Sequence, residues 1–229
     1  MSRISGRAEV RQLEPEKVAY WYFRLNGFFQ IENFVVHPEG GDRQRTDADL
    51  SAVRFPFRAE RLFDDPNDIM VDDDKGLDLS GSLIDIVIAE VKTNQPCTLN
   101  GPWTRADKQN LHRVLAAMGC LPAGLIDEAA DHIYRTGCYR SDTMLRIRLV
   151  AVGRDRSADL ESQYPDVTQV TWVKLLAFIW ERFHRYPRQK SQVDQWDRVG
   201  REMRRLAHHY LDAQDFIGCA VNRMGVRRE

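Results

Sequence analysis

Three charged side chains in this sequence could together hydrolyse a bond with the help of a metal ion. Glu90 and Lys92 close the most apolar run of the chain, residues 83–92, and Asp49 lies forty-one positions before Glu90. Two carboxylates and an ammonium group on neighbouring strands can hold a divalent metal ion and a water molecule. Glu-x-Lys triplets usually lie on solvated faces, so it is the position at the end of an apolar run that favours a site here.

The apolar run 83–92 is predicted to form a central strand. It is rich in β-branched Ile and Val, and the breakers Gly81 and Asn94 bracket it. Side chains alternate along a strand, which puts Glu90 and Lys92 on one face and Asp85 on the other. Because an unpaired buried charge is costly, these charges must pair with neighbours or open into a cleft that binds a cation.

Periodicity and breakers predict the elements that would surround this strand. The predicted ranges are a helix from Pro15 to the Asn26-Gly27 pair, strands at 31–37 and 48–57, helices at 104–119 and 124–137, and a strand at 144–152. Residues 104–107, Thr-Arg-Ala-Asp, are expected to form the capping box of the helix that ends at Gly119. In the last strand, Arg146 and Arg148 are expected to face away from the apolar side chains.

This order of elements, with Asp49 on the second strand and Glu90-x-Lys92 on the third, resembles the PD-(D/E)xK nuclease superfamily, also called restriction-endonuclease-like. The resemblance covers roughly residues 14–152 and implies an α/β fold with an αβββαβ core and a mixed central sheet. It also implies that Asp49 and Glu90 coordinate magnesium and that Lys92 positions or activates the attacking water. Glu16, on the first helix, would complete the site.

Two departures from the family pattern affect the choice of aspartate. The second motif lacks the literal Pro-Asp pair, and an acidic loop inserted at about 59–82 lengthens the spacing between Asp49 and Glu90. Asp47 shares a face with Asp49 in a regular strand, so it is an alternative metal ligand or a supporting partner. Asp85 ranks third because it points away from Glu90.

The resemblance predicts a specific chemistry. Magnesium prefers hard oxygen ligands and keeps several waters, so the carboxylates of Asp49 and Glu90 and the backbone carbonyl of Val91 would leave room for water and a phosphate oxygen. Mn²⁺ is the expected substitute. The predicted function is a metal-dependent endonuclease acting on DNA, of the restriction, repair or mobile-element defence type, as a homodimer or with a partner protein. The alternative is a catalytically silent nucleic-acid-binding or assembly module on the same scaffold.

Composition favours one domain with an appendage. The resemblance implies that residues 1–170 are the nuclease-like domain, and residues 171–229 are expected to be a helical extension packed on it. The chain of 229 residues has a formal net charge of −1, which gives no overall nucleic-acid signature. From Trp172 onward, however, the sequence has 12 Lys and Arg and only 7 Asp and Glu. The first 171 residues have 21 Lys and Arg and 27 Asp and Glu. The basic helices could contact phosphates, with a solvated helix face as the alternative.

The remaining features exclude several classes of site. The four cysteines lack Cys-x-x-Cys spacing and are expected to be buried free thiols. The acidic loop lacks the glycine and glutamate positions of a calcium-binding EF-hand. No secretory signal and no apolar stretch of membrane-spanning length is found, so we expect no membrane partner and a location in the reducing cytoplasm.

Overall fold

The protein is built around one mixed β-sheet with helices on both faces. The computed structural model describes residues 12–36, 46–58, 60–61, 69–70, 73–142, 144–188, 190–191 and 194–227. The strands are β1 Phe29–Val36, β2 Thr46–Arg54, β3 Glu60–Arg61, β4 Ile69–Met70, β5 Ile84–Val91, β6 Cys138–Arg140, β7 Leu145–Gly153 and β8 Thr168–Thr171. The helices are α1 Pro15–Leu25, α2 Gly101–Thr104, α3 Asn110–Met118, α4 Ile126–Thr136, α5 Ala158–Gln163, α6 Trp172–Arg185, α7 Arg198–His209 and α8 Ala213–Arg223.

Strand order in the sheet is β1-β2-β5-β7-β6, and β8 also pairs with β7. The β1–β2 and β2–β5 pairs are antiparallel, whereas β7 runs parallel to both β5 and β8. Strand β5 lies in the middle and is buried from Asp85 to Val91, as its Ile- and Val-rich sequence predicts. The predicted α/β class, mixed sheet and C-terminal helices are therefore confirmed.

The two faces of the sheet bury separate hydrophobic cores. Helices α1, α6, α7 and α8 cover one face, which we call the α1 face, and α3 and α4 cover the other, which we call the α3 face. Val87, Ala89 and Val91 of β5 point to the α1 face, whereas Ile86 and Ile88 point to the α3 face. The C-terminal helices thus share a core with α1 and the sheet.

The predicted alternation is confirmed at the start of β5. Asp85 faces away from Glu90 and is 1% exposed, and its two carboxylate oxygens accept hydrogen bonds from Arg146 and Arg148 at 2.7 to 3.1 Å. Asp78 also contacts Arg146, at 3.1 Å. Asp85 is therefore the centre of a buried charge network at the end of the strand opposite to Glu90, and it is not placed to join a site there.

Two local predictions need correction or completion. The capping box at residues 104–107 is wrong, because Thr104 ends the short helix α2 and Gln109, in a left-handed conformation, precedes α3. Strands β6 and β8 were not predicted, since their three or four residues are too short for a periodic signal. Among the other predicted elements, α1, β1, β2, β5, α4 and β7 lie within three residues of their expected ends. Helix α3 ends within one residue of its expected end but begins at Asn110, six residues after the predicted start at Thr104. His37 lies outside the described residues.

The described part of the acidic loop is held against the fold. Asp73 binds Arg54 at 2.5 Å, and Asp74 accepts a hydrogen bond from the Tyr22 hydroxyl at 2.6 Å. Asp73 therefore neutralises the charge of Arg54, and Asp74 satisfies the hydroxyl of Tyr22. The central acidic run, Asp64 to Asp68, and Asp72 lie outside the described residues.

The four cysteines are free thiols, as predicted, but only Cys97 is fully buried and the other three are half-buried. Burial raises the pKa of Cys97, Cys120 and Cys138, which makes a reactive thiolate unfavourable at neutral pH. Among the described residues, no helix is both long enough and apolar enough to cross a membrane.

Candidate active site

The candidate site forms where β2 and β5 stop pairing with each other. Their backbone register runs from Arg54 and Asp85 to Leu50 and Ala89. At the next position a side chain replaces the backbone as hydrogen-bond partner, because Asp49 Oδ2 accepts the backbone N–H of Val91 at 2.7 Å. This bond brings Asp49 beside the strand residue that separates Glu90 from Lys92.

An irregularity in β1 and β2 accounts for the orientation of Asp49. Ala48 packs on the α3 face, whereas Leu50 packs on the α1 face, so the regular alternation of β2 reverses at Asp49. Opposite this position Asn33 has a φ of 50° and is skipped in the β1–β2 pairing. A non-glycine residue in this left-handed region is uncommon and is often found at functional sites.

Glu90 is held by three donors on the α3 face. Its side chain is 3% exposed; Oε2 accepts the Trp103 indole N–H at 2.8 Å, and Oε1 accepts from the Lys92 ammonium at 2.5 Å and from the Asn100 amide. Charge-assisted bonds of this kind are among the strongest in proteins. Glu90 is therefore fixed in one orientation before any ligand binds.

Lys92 is positioned from both its side chain and its backbone. The ammonium bonds Glu90 and, at 2.8 Å, the side-chain oxygen of Asn100. The Trp172 indole N–H donates to the carbonyls of Lys92 and Thr93, at 3.1 Å each. Since an ammonium has three N–H groups, one remains for a water or a phosphate oxygen.

The electrostatics at Asp49 favour a cation. Burial, followed by the negative charges of Glu90 and Glu16, raises the pKa of Asp49 to about 6, although the Val91 N–H and Lys92 act in the opposite direction. A carboxylate whose pKa is raised in this way is stabilised by an added positive charge. Its Oδ1 accepts no hydrogen bond from any of the described residues and is available to a ligand.

The structure brings together most, but not all, of the predicted site residues. Asp49, Glu90, Val91 and Lys92 converge, and exposed Glu16 lies on α1 within electrostatic reach of Asp49. The Asp47 backbone pairs with Val35, but its side chain is outside the described part of the structure, so its role stays a prediction.

The donor set fits a divalent cation in type and charge. Asp49 offers a free oxygen, and Glu90 offers a second buried carboxylate on the neighbouring strand. Magnesium is commonly held by one or two carboxylates, with water and phosphate completing the octahedron. No group of three or more His, Cys, Asp or Glu side chains in ligating arrangement occurs among the described residues, so water, substrate or the Val91 carbonyl would have to supply the other ligands.

Three residues of the site carry no signal in the sequence pattern. Asn100 and Trp103 bond Glu90, and Trp172 bonds the backbone next to Lys92. A buried tryptophan needs an acceptor for its N–H, which is the one clue that the sequence offers. Their spacing from the carboxylates depends on loop conformation, which periodicity does not report.

Several basic residues of the C-terminal helices and their connections form ion pairs within the molecule. Arg182 is buried and 3.9 Å from Glu60, and Lys190 binds the same carboxylate. Arg205 pairs with Glu202 at 2.7 Å. These pairs reduce the positive charge that the helices could present to phosphates, and they favour a structural role for those residues.

Comparisons with known protein families, with curated proteins and with solved structures found no match to this chain. The functional assignment therefore depends on the geometry and chemistry of the site.

Proposed function

We propose that this protein is a metal-dependent nuclease that hydrolyses phosphodiester bonds, with DNA as the expected substrate and a restriction-endonuclease-like arrangement of its core. The observation that supports it best is the placement of Asp49 and Glu90 on adjacent strands, joined through Val91, with the Lys92 ammonium 2.5 Å from Glu90. Carboxylates and a lysine in this arrangement match the needs of metal-assisted phosphoryl transfer.

Asp49 and Glu90 would hold the divalent ion, which, when bound, lowers the pKa of a water and offsets charge on the phosphate. Cleavage forms a bond between the water oxygen and phosphorus and breaks the bond to the leaving oxygen. The attacking water loses one proton and the leaving oxygen gains one. The raised pKa of Asp49 predicts weaker metal binding as protonation sets in below about pH 6.

Lys92 would position the nucleophile and the phosphate. Its side chain is 18% exposed, so the ammonium can reach a substrate, while Glu90 and Asn100 fix its direction. A positioned positive charge stabilises the negative charge that develops on the phosphate oxygens during attack. Glu16 adds negative charge near Asp49 and supports cation binding from the side of α1.

A catalytically silent nucleic-acid-binding module is the second candidate. Both oxygens of Glu90 already accept hydrogen bonds from Lys92, Asn100 and Trp103, which favours a self-contained structural cluster. The free oxygen of Asp49 and its raised pKa favour the nuclease instead. The free thiols support action in the reducing cytoplasm, and a homodimer or partner protein remains part of the proposal.

Cleavage of supercoiled plasmid, linear duplex, single-stranded DNA and RNA tests the proposal. We expect cutting with Mg²⁺ or Mn²⁺, none with EDTA, and a loss of at least about 100-fold in Glu90→Gln and Lys92→Met. Lys108→Met, which removes an exposed lysine on the turn before α3, is the matched control and should cut normally. A folded protein that binds nucleic acid but cuts nothing with either metal would favour the silent module.

A further inference from the structure

A cavity lies on the α1 face, at the same end of the sheet as the candidate active site. Its volume is about 490 Å³, and its lining comes from the segment after β7, from the start of α6, from α8 and from the segment after α8. This size falls within the range of small-molecule sites in proteins. The candidate nuclease chemistry does not itself use this cavity.

The walls of the cavity are apolar and its rim is charged. Ile217, Val221 and Val226 form buried parts of the wall, and Val173, at the rim, is 50% exposed. Trp172 also lines the cavity and is 1% exposed. An apolar surface of this kind suits the flat face of a base or the carbon atoms of a sugar.

Two arginines and one aspartate line the cavity. Arg154 contacts Asp155 through its Nε at 2.6 Å, and Arg227 is exposed. The fixed charge of these three groups is +1, so the cavity favours an anion. Because the apolar wall and the positive groups occur together, the ligand should combine an aromatic or sugar portion with a phosphate.

The cavity is joined directly to the residues of the candidate site. Trp172, in its wall, donates to the Lys92 carbonyl, and the Arg227 backbone N–H donates to Asn94 at 2.7 Å. In the parallel β5–β7 pair, Val91 lies opposite Val152. The chain that follows β7, which begins with Arg154, therefore starts about 4.8 Å, one strand spacing, from the chain that follows β5, which begins with Lys92. The cavity is lined by residues of the α1 face, whereas the Lys92 ammonium lies with Glu90 on the α3 face, so a substrate strand would reach both by crossing this end of the sheet.

We propose that this cavity receives an unpaired nucleotide of the substrate strand, across the end of the sheet from the bond that is cleaved. Its base and sugar pack against the apolar wall, and its phosphate lies near Arg154 and Arg227. The nucleotide must be unpaired, because a base stacked within a duplex cannot enter a cavity without leaving its stack. The inference rests on the proposed nuclease function and specifies a single-stranded or locally opened substrate.

Binding of a fluorescent single-stranded DNA of roughly ten nucleotides, measured by anisotropy in EDTA, tests the inference separately from cleavage. We expect Val173→Asp to weaken binding about tenfold, the order of one stacked base. Arg227→Glu should weaken it similarly and reduce the slope of log affinity against log salt by about 0.7, the value for one phosphate contact. Leu211→Asp, an exposed apolar position between α7 and α8, and Arg135→Glu on α4 are the matched controls and should bind as the parent does.

An oligonucleotide without bases separates the cavity from general attraction to phosphates. The parent should bind this abasic strand about tenfold more weakly than the normal strand, whereas Val173→Asp should bind both alike. Failure of the parent to bind single-stranded DNA, or equal binding by the cavity variants and their controls, would overturn the inference. If the expected binding pattern is found without any cleavage, the nuclease proposal fails and the nucleotide site stands. If the parent cleaves but the cavity variants bind as the parent does, the nucleotide site fails and the nuclease proposal stands.

Discussion

Replacement of Asp49 by asparagine is expected to stabilise the metal-free protein above about pH 6. Asparagine keeps the shape of the side chain and an oxygen acceptor for the Val91 N–H, but it removes the charge that burial, Glu90 and Glu16 disfavour. Most substitutions of a buried polar group destabilise a protein, so a gain would be diagnostic of a carboxylate kept for ligand binding.

The expected gain follows from the pKa of Asp49, which rises from its ordinary value of 3.8 to about 6. A tenfold change in proton affinity corresponds to about 1.4 kcal/mol, so the charged form costs on the order of 3 kcal/mol of unfolding free energy at pH 8. Partial exposure of the side chain and a weaker hydrogen bond to Val91 reduce the expected gain to about 1 to 2 kcal/mol. In a chain of this size that is an increase of about 2 to 8 °C in Tm.

The difference in stability between Asp49→Asn and the parent is expected to depend on pH. The folded protein binds the Asp49 proton more tightly than the unfolded chain does, so the contribution of Asp49 to wild-type stability falls as the pH rises from about 4 to about 6. The advantage of Asp49→Asn should therefore be about half as large at pH 5 as at pH 8. Thermal unfolding in EDTA measures it, and Asp127→Asn, whose side chain is 92% exposed, is the control. A loss of stability at pH 8, or a gain larger at pH 5 than at pH 8, would refute the reasoning.

Two further substitutions test the hydrogen bonds of the buried carboxylates Asp85 and Glu90. Asp85→Asn should lower the free energy of unfolding by about 3 to 5 kcal/mol in urea denaturation, because it leaves Arg146 and Arg148 buried without their shared carboxylate; a loss below 1 kcal/mol would contradict a tight network. Trp103→Phe keeps an aromatic ring but removes the N–H bound to Glu90, so we expect a loss of about 1.5 to 3 kcal/mol and slower cleavage. Unchanged stability and rate in that variant would show that Trp103 does not orient Glu90.

The main elements could be predicted because their signals are local. The β-branched run of β5 and the alternation of β7 fix strands and faces, and Pro15 and Gly137 mark helix ends that the structure retains. The separation of Asp85 from Glu90 follows from the same period of two. Short strands such as β8 depend on tertiary pairing with β7 and leave no periodic trace.

The site was only partly predictable for a related reason. Glu90 and Lys92 occupy one face of one strand, so their proximity could be inferred from spacing alone. The orientation of Asp49 depends on a reversal in β2 opposite Asn33, which no regular pattern anticipates. Asn100 reaches Glu90 only through the fold of a loop.

Cleavage of supercoiled plasmid with Mg²⁺ by Asp49→Asn, compared with Asp127→Asn, tests the central proposal most directly. Because Asp49→Asn is expected to be at least as stable as the parent at pH 8, loss of cutting could not be attributed to unfolding. The account predicts metal-dependent cutting by the parent and by Asp127→Asn, and a loss of at least about 100-fold in Asp49→Asn. Cutting at the parental rate by Asp49→Asn would contradict the assignment of the site.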